Sequence, residues 1–509
     1  MAAFSRLGRP AMLFSSHIFL FLFLPLTLGG FCLFARFLGP KPAKAWLTLA
    51  SLFFYGWWNP IYLALIVASM LVNFFLGRHI AMEVRAGRSR SGHAWLVAGV
   101  TANLLLLGYY KYANFFVSNV NAVFGTDWNI GQIVLPLGIS FFTFTQIAYL
   151  VDARRGVACE YNLGDFLLFI TFFPHLIAGP IIHHSEMMPQ FREAKTYRFN
   201  WDNLAVGLAM FAVGLFKKAV LADRLSYSAG RLFEASSLAN PMHAQDAWLG
   251  TLSFTFQLYF DFSGYSDMAI GLARMFGIVL PLNFFSPYKA ASITEFWRRW
   301  HMTLSRFLRD YLYIPLGGNR RGEFRRHVNL VLTMLIGGFW HGAAWTFVLW
   351  GLFHGVCLAV NHLWHAFWEV RRRPAFLPKW LTAPASRAIT FFLIVIGWVL
   401  FRAPDIHGAR HVLEAMFGWG TAAGTPFLLK SNLWFWLAGL LAFVWLLPNT
   451  AQIFSRHQPC PGIVKTEIPE TVRWYHWNMG MTKAWLCALM LGLAILALSK
   501  SGEFLYYNF

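Results

Sequence analysis

The chain has 509 residues, 57% hydrophobic and only 13% charged, where a soluble domain carries about 25% charged residues. Together with a mean hydropathy of +0.50, this excludes a soluble enzyme and points to a membrane protein. The 42 Lys and Arg against 22 Asp and Glu give a net charge of +20. These cations sit mostly in short loops between apolar stretches, the pattern that orients membrane spans, so nucleic acid is not an expected partner.

Backbone polar groups find no partner in lipid, so the spans must be helices or a closed barrel. Barrel strands alternate apolar and polar residues, which stretches such as 18–33 and 485–498 do not. The expected fold class is therefore all-α, a polytopic transmembrane helical bundle. Arg6 and Arg9 precede an apolar run that lacks a small-residue cleavage site, so it reads as a first anchor rather than a signal peptide. Spans are predicted near 12–35, 45–59, 61–77, 94–110, 132–151, 164–182, 203–222, 247–262, 328–340, 343–369, 387–402, 432–448 and 484–499. Basic loops at 36–44, 78–93 and 152–156 fall on one side if the intervening spans pair off, which places the N-terminus outside. No internal repeat is visible, and 1–509 reads as a single transmembrane domain. The longest polar stretch, 449–483, falls short of the 50 or so residues a separate catalytic domain needs.

The middle of the chain departs from simple spans. Residues 284–327 carry Lys289, Glu295, Arg298, Arg299, His301, Arg306, Arg309 and Asp310 among Phe296, Trp297, Trp300, Phe307 and Tyr311. Ser292 followed by Glu295 is a capping-box spacing, which predicts a helix from Ile293 that ends before Pro315. Four-residue spacing would pair Glu295 with Arg299 and Arg306 with Asp310. Trp297, His301, Leu304 and Leu308 would share another stripe. The segment reads as a re-entrant or interfacial helix.

The sharpest candidate is His341, in Gly337-Gly338-Phe339-Trp340-His341-Gly342. An ionisable group inside an apolar run is costly and faces a cavity or a partner; the structural alternative is a histidine that hydrogen-bonds two helices together. His301 is the second candidate, with an interfacial role as its alternative. His354 lies thirteen residues after His341, far around one helix, and is assigned to packing. Asp261 and Asp267 could orient a histidine or pair with arginines such as Arg298 or Arg274; the structural role is favoured. The five cysteines are scattered and His183–His184 are adjacent, so neither a disulfide framework, a metal site nor a cysteine nucleophile is indicated. What remains is a neutral histidine acting as general base or acid. Arg320, Arg321, Arg325 and Arg326 could meet a phosphate-bearing donor or simply anionic lipid.

Several stretches together resemble the membrane-bound O-acyltransferase family in its bacterial, alginate O-acetyltransferase-like branch. They are Phe-Trp-Arg-Arg-Trp-His at 296–301, Asp-Tyr-Leu-Tyr-Ile-Pro-Leu-Gly-Gly-Asn at 310–319 and Gly-Phe-Trp-His-Gly-Ala-Ala-Trp at 338–345. Pro-Leu-Gly-Ile-Ser-Phe-Phe at 136–142, the stretch 173–181 and Phe-Asp-Phe-Ser-Gly-Tyr-Ser-Asp at 260–267 also fit. The resemblance covers a core at 45–402, leaving 403–509 as additional C-terminal helices, with an echo in the aromatic end 504–509. It implies a ring of helices around a central funnel, with His341 and His301 as the catalytic pair. Arg298, Arg306, Arg309, Arg320 and Arg321 would hold an acyl thioester such as acetyl-CoA. Asp261, Asp267, Glu295, Asp310, Trp340 and His354 would support the site, with no bound cofactor or metal. It further implies a bacterial inner-membrane location, an extracytoplasmic SGNH-type partner and an exported polysaccharide as final acceptor. The rival classes are a polysaccharide or lipid-linked sugar transporter and a non-catalytic scaffold; the acyl group is not fixed by the sequence.

Overall fold

The computed structural model describes residues 12–158, 162–237, 241–370, 379–419, 428, 431–458, 460, 475–498 and 505. Among these residues every regular element is helical, as a chain that must satisfy its own backbone in lipid requires. Six helical stretches are long and apolar enough to cross a membrane: Phe19–Phe37, Pro60–Arg85, Ser89–Phe124, Trp201–Ser237, Trp345–Trp368 and Thr382–Arg402.

The N-terminal part comprises α1 (Leu24–Phe37), α2 (Pro40–Gly56), α3 (Pro60–Arg85), α4 (Ser89–Leu107), α5 (Ala113–Phe124) and α6 (Ile139–Arg154). A π turn at Gly108–Tyr112 joins α4 to α5 in one continuous rod. The single span predicted at 164–182 is instead broken into α7 (Leu163–Thr171) and α8 (Phe173–Leu176), followed by irregular chain to α9 (His184–Arg192). Pro174 and Pro180 cannot donate to a helical ladder, and the backbone is buried in protein here rather than facing lipid. Two of the basic loops, 78–93 and 152–156, meet directly. Arg154 donates to the Ser89 hydroxyl at 2.6 Å and Arg155 to the Asp310 carbonyl at 3.0 Å, while Lys44 bonds Asp165 at 2.5 Å.

At the centre lie α10 (Trp201–Phe216) and α11 (Asp223–Ser237), joined by a π turn at Lys217–Ala222, and α12 (Ala244–Met275). The sequence predicts only residues 247–262 for the last of these, yet α12 runs 32 residues and is buried along almost all of them. It continues because its acids are neutralised inside the protein. Lys218 pairs with Asp261 at 3.0 Å and with Asp223 at 2.6 Å, and Lys217 with Asp267 at 2.6 Å. Leu505 also donates its backbone N–H to Asp261 at 3.0 Å; the rest of the 504–509 motif lies outside the described residues. The helices α10 and α12 touch backbone to backbone. A Cβ placed on Gly207, Gly214, Gly264 or Gly271 would fall within 2.7 Å of the facing glycine's carbonyl oxygen, the close approach that small residues permit in membranes.

The C-terminal part holds α13 (Ile293–Arg299), α14 (Met302–Leu308), α15 (Glu323–His341), α16 (Trp345–Val370) and α17 (Lys379–Arg402). After them come α18 (Ile406–Met416), α19 (Ser431–Leu446), α20 (Thr450–Ile453) and α21 (Met481–Ala497). Free Cys32, Cys357 and Cys487 are half-buried and Cys460 is buried; Cys159 lies outside the described residues.

Candidate active site

The first half of the site is a break between two short helices. The Ser292 hydroxyl accepts the Glu295 N–H at 3.1 Å and Glu295 accepts the Ala291 N–H at 2.7 Å, so the helix starts where its spacing predicted. It does not continue to Pro315. Trp300 is extended, His301 adopts φ +44° and ψ +52°, and α14 then begins afresh. The left-handed region costs a residue bearing a Cβ about 1–2 kcal/mol. Two backbone bonds hold it there, Phe285 N–H to the Arg299 carbonyl at 2.9 Å and Met302 N–H to the Asn283 carbonyl at 3.0 Å. The expected common stripe of Trp297, His301, Leu304 and Leu308 is therefore corrected, since Trp297 and His301 fall on either side of the break.

The charge pairings follow from the same geometry. Glu295 and Arg299 pair at 2.8 Å as expected, but Arg306 and Asp310 do not. A π turn at Arg309–Tyr313 widens the helix, so four-residue neighbours no longer line up. Arg306 instead clasps Glu186 with two bonds, at 2.5 and 2.8 Å. Arg309 takes Asp310 at 2.7 Å, and that hydrogen bond holds its guanidinium above its usual pKa.

The second half is the C-terminal end of α15. His341 is its last residue and is buried, its ring set against Trp340, Trp350 and Phe401 at centroid distances of 5.0, 5.1 and 5.3 Å. The helices α15 and α16 are pressed together at Gly338 and Gly351. A Cβ on the first would lie 2.4 Å from the Phe347 carbonyl oxygen, and one on the second 2.4 Å from that of Met334. The last carbonyls of any helix lack intrahelical partners, and here α4–α5 supplies them. The Lys111 ammonium donates to the Trp340 and His341 carbonyls at 2.7 and 3.1 Å, and the Tyr112 hydroxyl to that of Phe339 at 2.9 Å. A cation at a helix C-terminus is also favoured by the helix dipole. Lys111 lies in the π turn, beyond the span end predicted at residue 110, and was not among the expected site residues. A lone lysine within Tyr109-Tyr110-Lys111-Tyr112, inside an apolar stretch that runs on to Phe124, was the available signal.

The fold brings the two halves together. His301, 1% exposed, and His341, 4% exposed, flank one aromatic stack, in which the Phe307 ring of α14 lies 4.2 Å from Phe144. Trp340 stacks on Phe144 with centroids 4.9 Å apart and takes Lys111 over its face at 5.7 Å. His354 sits on α16 rather than on the His341 helix. It is fully buried among Trp297, Trp350 and Phe296 at 5.2, 5.0 and 6.3 Å, in keeping with a packing role.

Other expected residues lie elsewhere. Asp261 and Asp267 pair with Lys218 and Lys217, not with a histidine, Arg298 or Arg274, because α12 presents them to the π turn after α10. Arg298, Arg320 and Arg321 are exposed. Among the described residues no group of three His, Cys, Asp or Glu could hold a metal ion.

Comparison with known proteins gives this arrangement its relatives. The model of the MBOAT, membrane-bound O-acyltransferase family, matches residues 153–402. The peptidoglycan O-acetyltransferase of Helicobacter pylori is 46% identical over 434 residues, covering 80% of this chain and 80% of that protein. This chain belongs to the membrane-bound O-acyltransferase family. Within it the bacterial acetyltransferase branch is indicated by a probable alginate O-acetylase of Pseudomonas aeruginosa. That protein is 45% identical over 416 residues, 81% of this chain and 76% of its own length. The teichoic acid D-alanyltransferase of Streptococcus thermophilus is more distant, 30% identical over 281 residues, covering 52% of this chain and 68% of that protein. The chain is accordingly a multi-pass membrane O-acyltransferase, and its relatives' matches extend well beyond the family segment.

Proposed function

We propose that this membrane-bound O-acyltransferase moves an acetyl group from a cytoplasmic thioester donor towards an exported polysaccharide, with His341 as general base and His301 sharing the proton transfer. The observation that carries this reading is that His301 and His341, forty positions apart in sequence, are both buried where α14 and the end of α15 meet across the Phe307–Phe144–Trp340 stack. The accepting hydroxyl loses its proton to an imidazole as its oxygen attacks the thioester carbonyl. The tetrahedral intermediate then collapses, the C–S bond breaks, and the departing thiolate takes the proton back. No net proton is consumed, so a buried base suffices.

The donor would be acetyl-CoA or another acyl thioester, approaching from the face where Arg154, Arg155, Arg309, Arg320 and Arg321 lie. Clustered cations suit a phosphate-bearing donor, and by the positive-inside rule this face is cytoplasmic, with the N-terminus on the other side of the inner membrane. Arg320 and Arg321 are exposed, whereas Arg155 and Arg309 bond the carbonyl and carboxylate of Asp310. Exchanging both for glutamate is expected to raise the donor KM about tenfold or more with kcat nearly unchanged, read from initial rates in reconstituted membranes. Arg306 is committed to Glu186, and its role is to brace α14 rather than to hold the donor. The last transfer would fall to an extracytoplasmic SGNH-type partner.

The test is ester-linked acetate on the cell's exported polysaccharide, measured by NMR in cells with and without this chain. Acetate is expected to disappear while the polymer is still exported. Loss of the polymer itself would favour a transporter, and unchanged acetate would overturn the reading.

A further inference from the structure

Asn283 is fully buried in the chain between α12 and α13, and nothing above gives its side chain a role. Its Oδ1 stands 3.0 Å from His301 Nδ1, 2.9 Å from the Thr303 hydroxyl and 3.3 Å from the Thr303 backbone nitrogen. The two ends of an asparagine amide are told apart only by their partners. A backbone N–H can only donate, so the atom facing Thr303 is the carbonyl oxygen. The Thr303 hydroxyl agrees, because it already accepts the Ile181 N–H at 3.0 Å and is left to donate to Asn283. The amide's other end completes the set, donating from Nδ2 to the Ser266 hydroxyl at 3.3 Å.

A carbonyl oxygen has no proton to give, so His301 Nδ1 must carry the hydrogen in that contact. We propose that Asn283 is a positioning residue that locks His301 in its Nδ1-protonated tautomer and so makes Nε2 the ring's basic nitrogen. The ring has little freedom to escape this assignment. The Phe262 ring meets it edge-on, with centroids 4.8 Å apart and planes at 85°. The Asn283 carbonyl also receives the Met302 N–H at 3.0 Å, which ties the asparagine backbone to the residue after the histidine. The left-handed turn at His301 thus turns its Nδ1 edge towards Asn283 and Thr303. The inference rests on the catalytic reading of His301 only for its consequence, since the tautomer itself is a property of the resting protein.

The test is 15N NMR of the full chain in phospholipid bilayers with ring-labelled histidine, the His301 signals assigned by their loss in His301→Gln. Wild-type protein is expected to show a protonated Nδ1 and a bare Nε2 at this residue. The opposite tautomer would overturn the proposal whatever the enzyme's activity. In Asn283→Leu the Nδ1–H form is expected to lose its dominance and acyl transfer to fall by more than about tenfold at equal abundance. Asn283→Asp keeps the acceptor oxygen and is expected to restore the tautomer. An unchanged tautomer in Asn283→Leu would also sink the assignment. If the tautomer is as stated but His301→Gln transfers acyl groups normally, the catalytic reading of His301 fails and the Asn283 assignment stands.

Discussion

Replacing His341 by alanine is expected to lower acyl transfer by about a thousandfold while leaving the protein in the membrane. General acid–base catalysis by a positioned side chain contributes about 10²–10⁴ in rate, and His301 is held in its own place by Asn283 and Thr303. His341 ends α15, and its backbone carbonyl rather than its side chain receives Lys111, so the helix end keeps its partner in the variant. What is removed is a ring packed on Trp340, Trp350 and Phe401. His341→Gln separates the two readings of the site, since glutamine can hydrogen-bond but cannot act as a base near neutral pH. A purely structural histidine predicts near-normal acetate in His341→Gln; a base predicts none. The measurement is ester-linked acetate per unit of protein, with abundance followed by immunoblot.

Lys111→Met is expected to cut the rate by about a hundredfold, again with the chain still present. Methionine fills a similar volume but leaves the Trp340 and His341 carbonyls without their shared donor. A hydrogen bond to a charged group contributes about 1.5–3 kcal/mol. The end of α15 would then relax, and a displacement of about 1 Å at a catalytic group can cost about a hundredfold. The neighbouring Tyr112 bond to Phe339 remains, so the helix is loosened rather than unfolded. Lys111→Arg, which keeps the charge and the donors, should recover a substantial part of the rate. Full activity in Lys111→Met would show that α15 holds its terminus without help from α4–α5.

Much of this protein is written locally. Apolar stretches of span length, with no alternation, dictate helices because lipid offers the backbone no partner. The Ser292 and Glu295 spacing marks the start of α13 to the residue, since a cap is a contact between near neighbours in the chain. His341 stands out because an ionisable ring in an apolar run demands a reason. The family resemblance, carried by 296–301 and 338–345, located the second histidine as well.

Other features depended on contacts across the fold. No residue type at Trp300–His301 announces a break, because a left-handed histidine is stable only where Asn283, Phe285 and Thr303 hold it. Asp261 and Asp267 gave no sign of choosing Lys218 and Lys217, some fifty positions away, since pairing over that separation is set by how α10 packs on α12. Lys111 meets the end of α15 from 229 positions away, at a π turn whose register no sequence period encodes. Sequence determined that the chain is helical, where α13 begins and which histidine is the candidate base, because those follow from neighbours along the chain and from the surrounding lipid. Only the tertiary structure decided which buried charges neutralise one another and how the two histidines meet, because each of those contacts exists only once distant helices have packed.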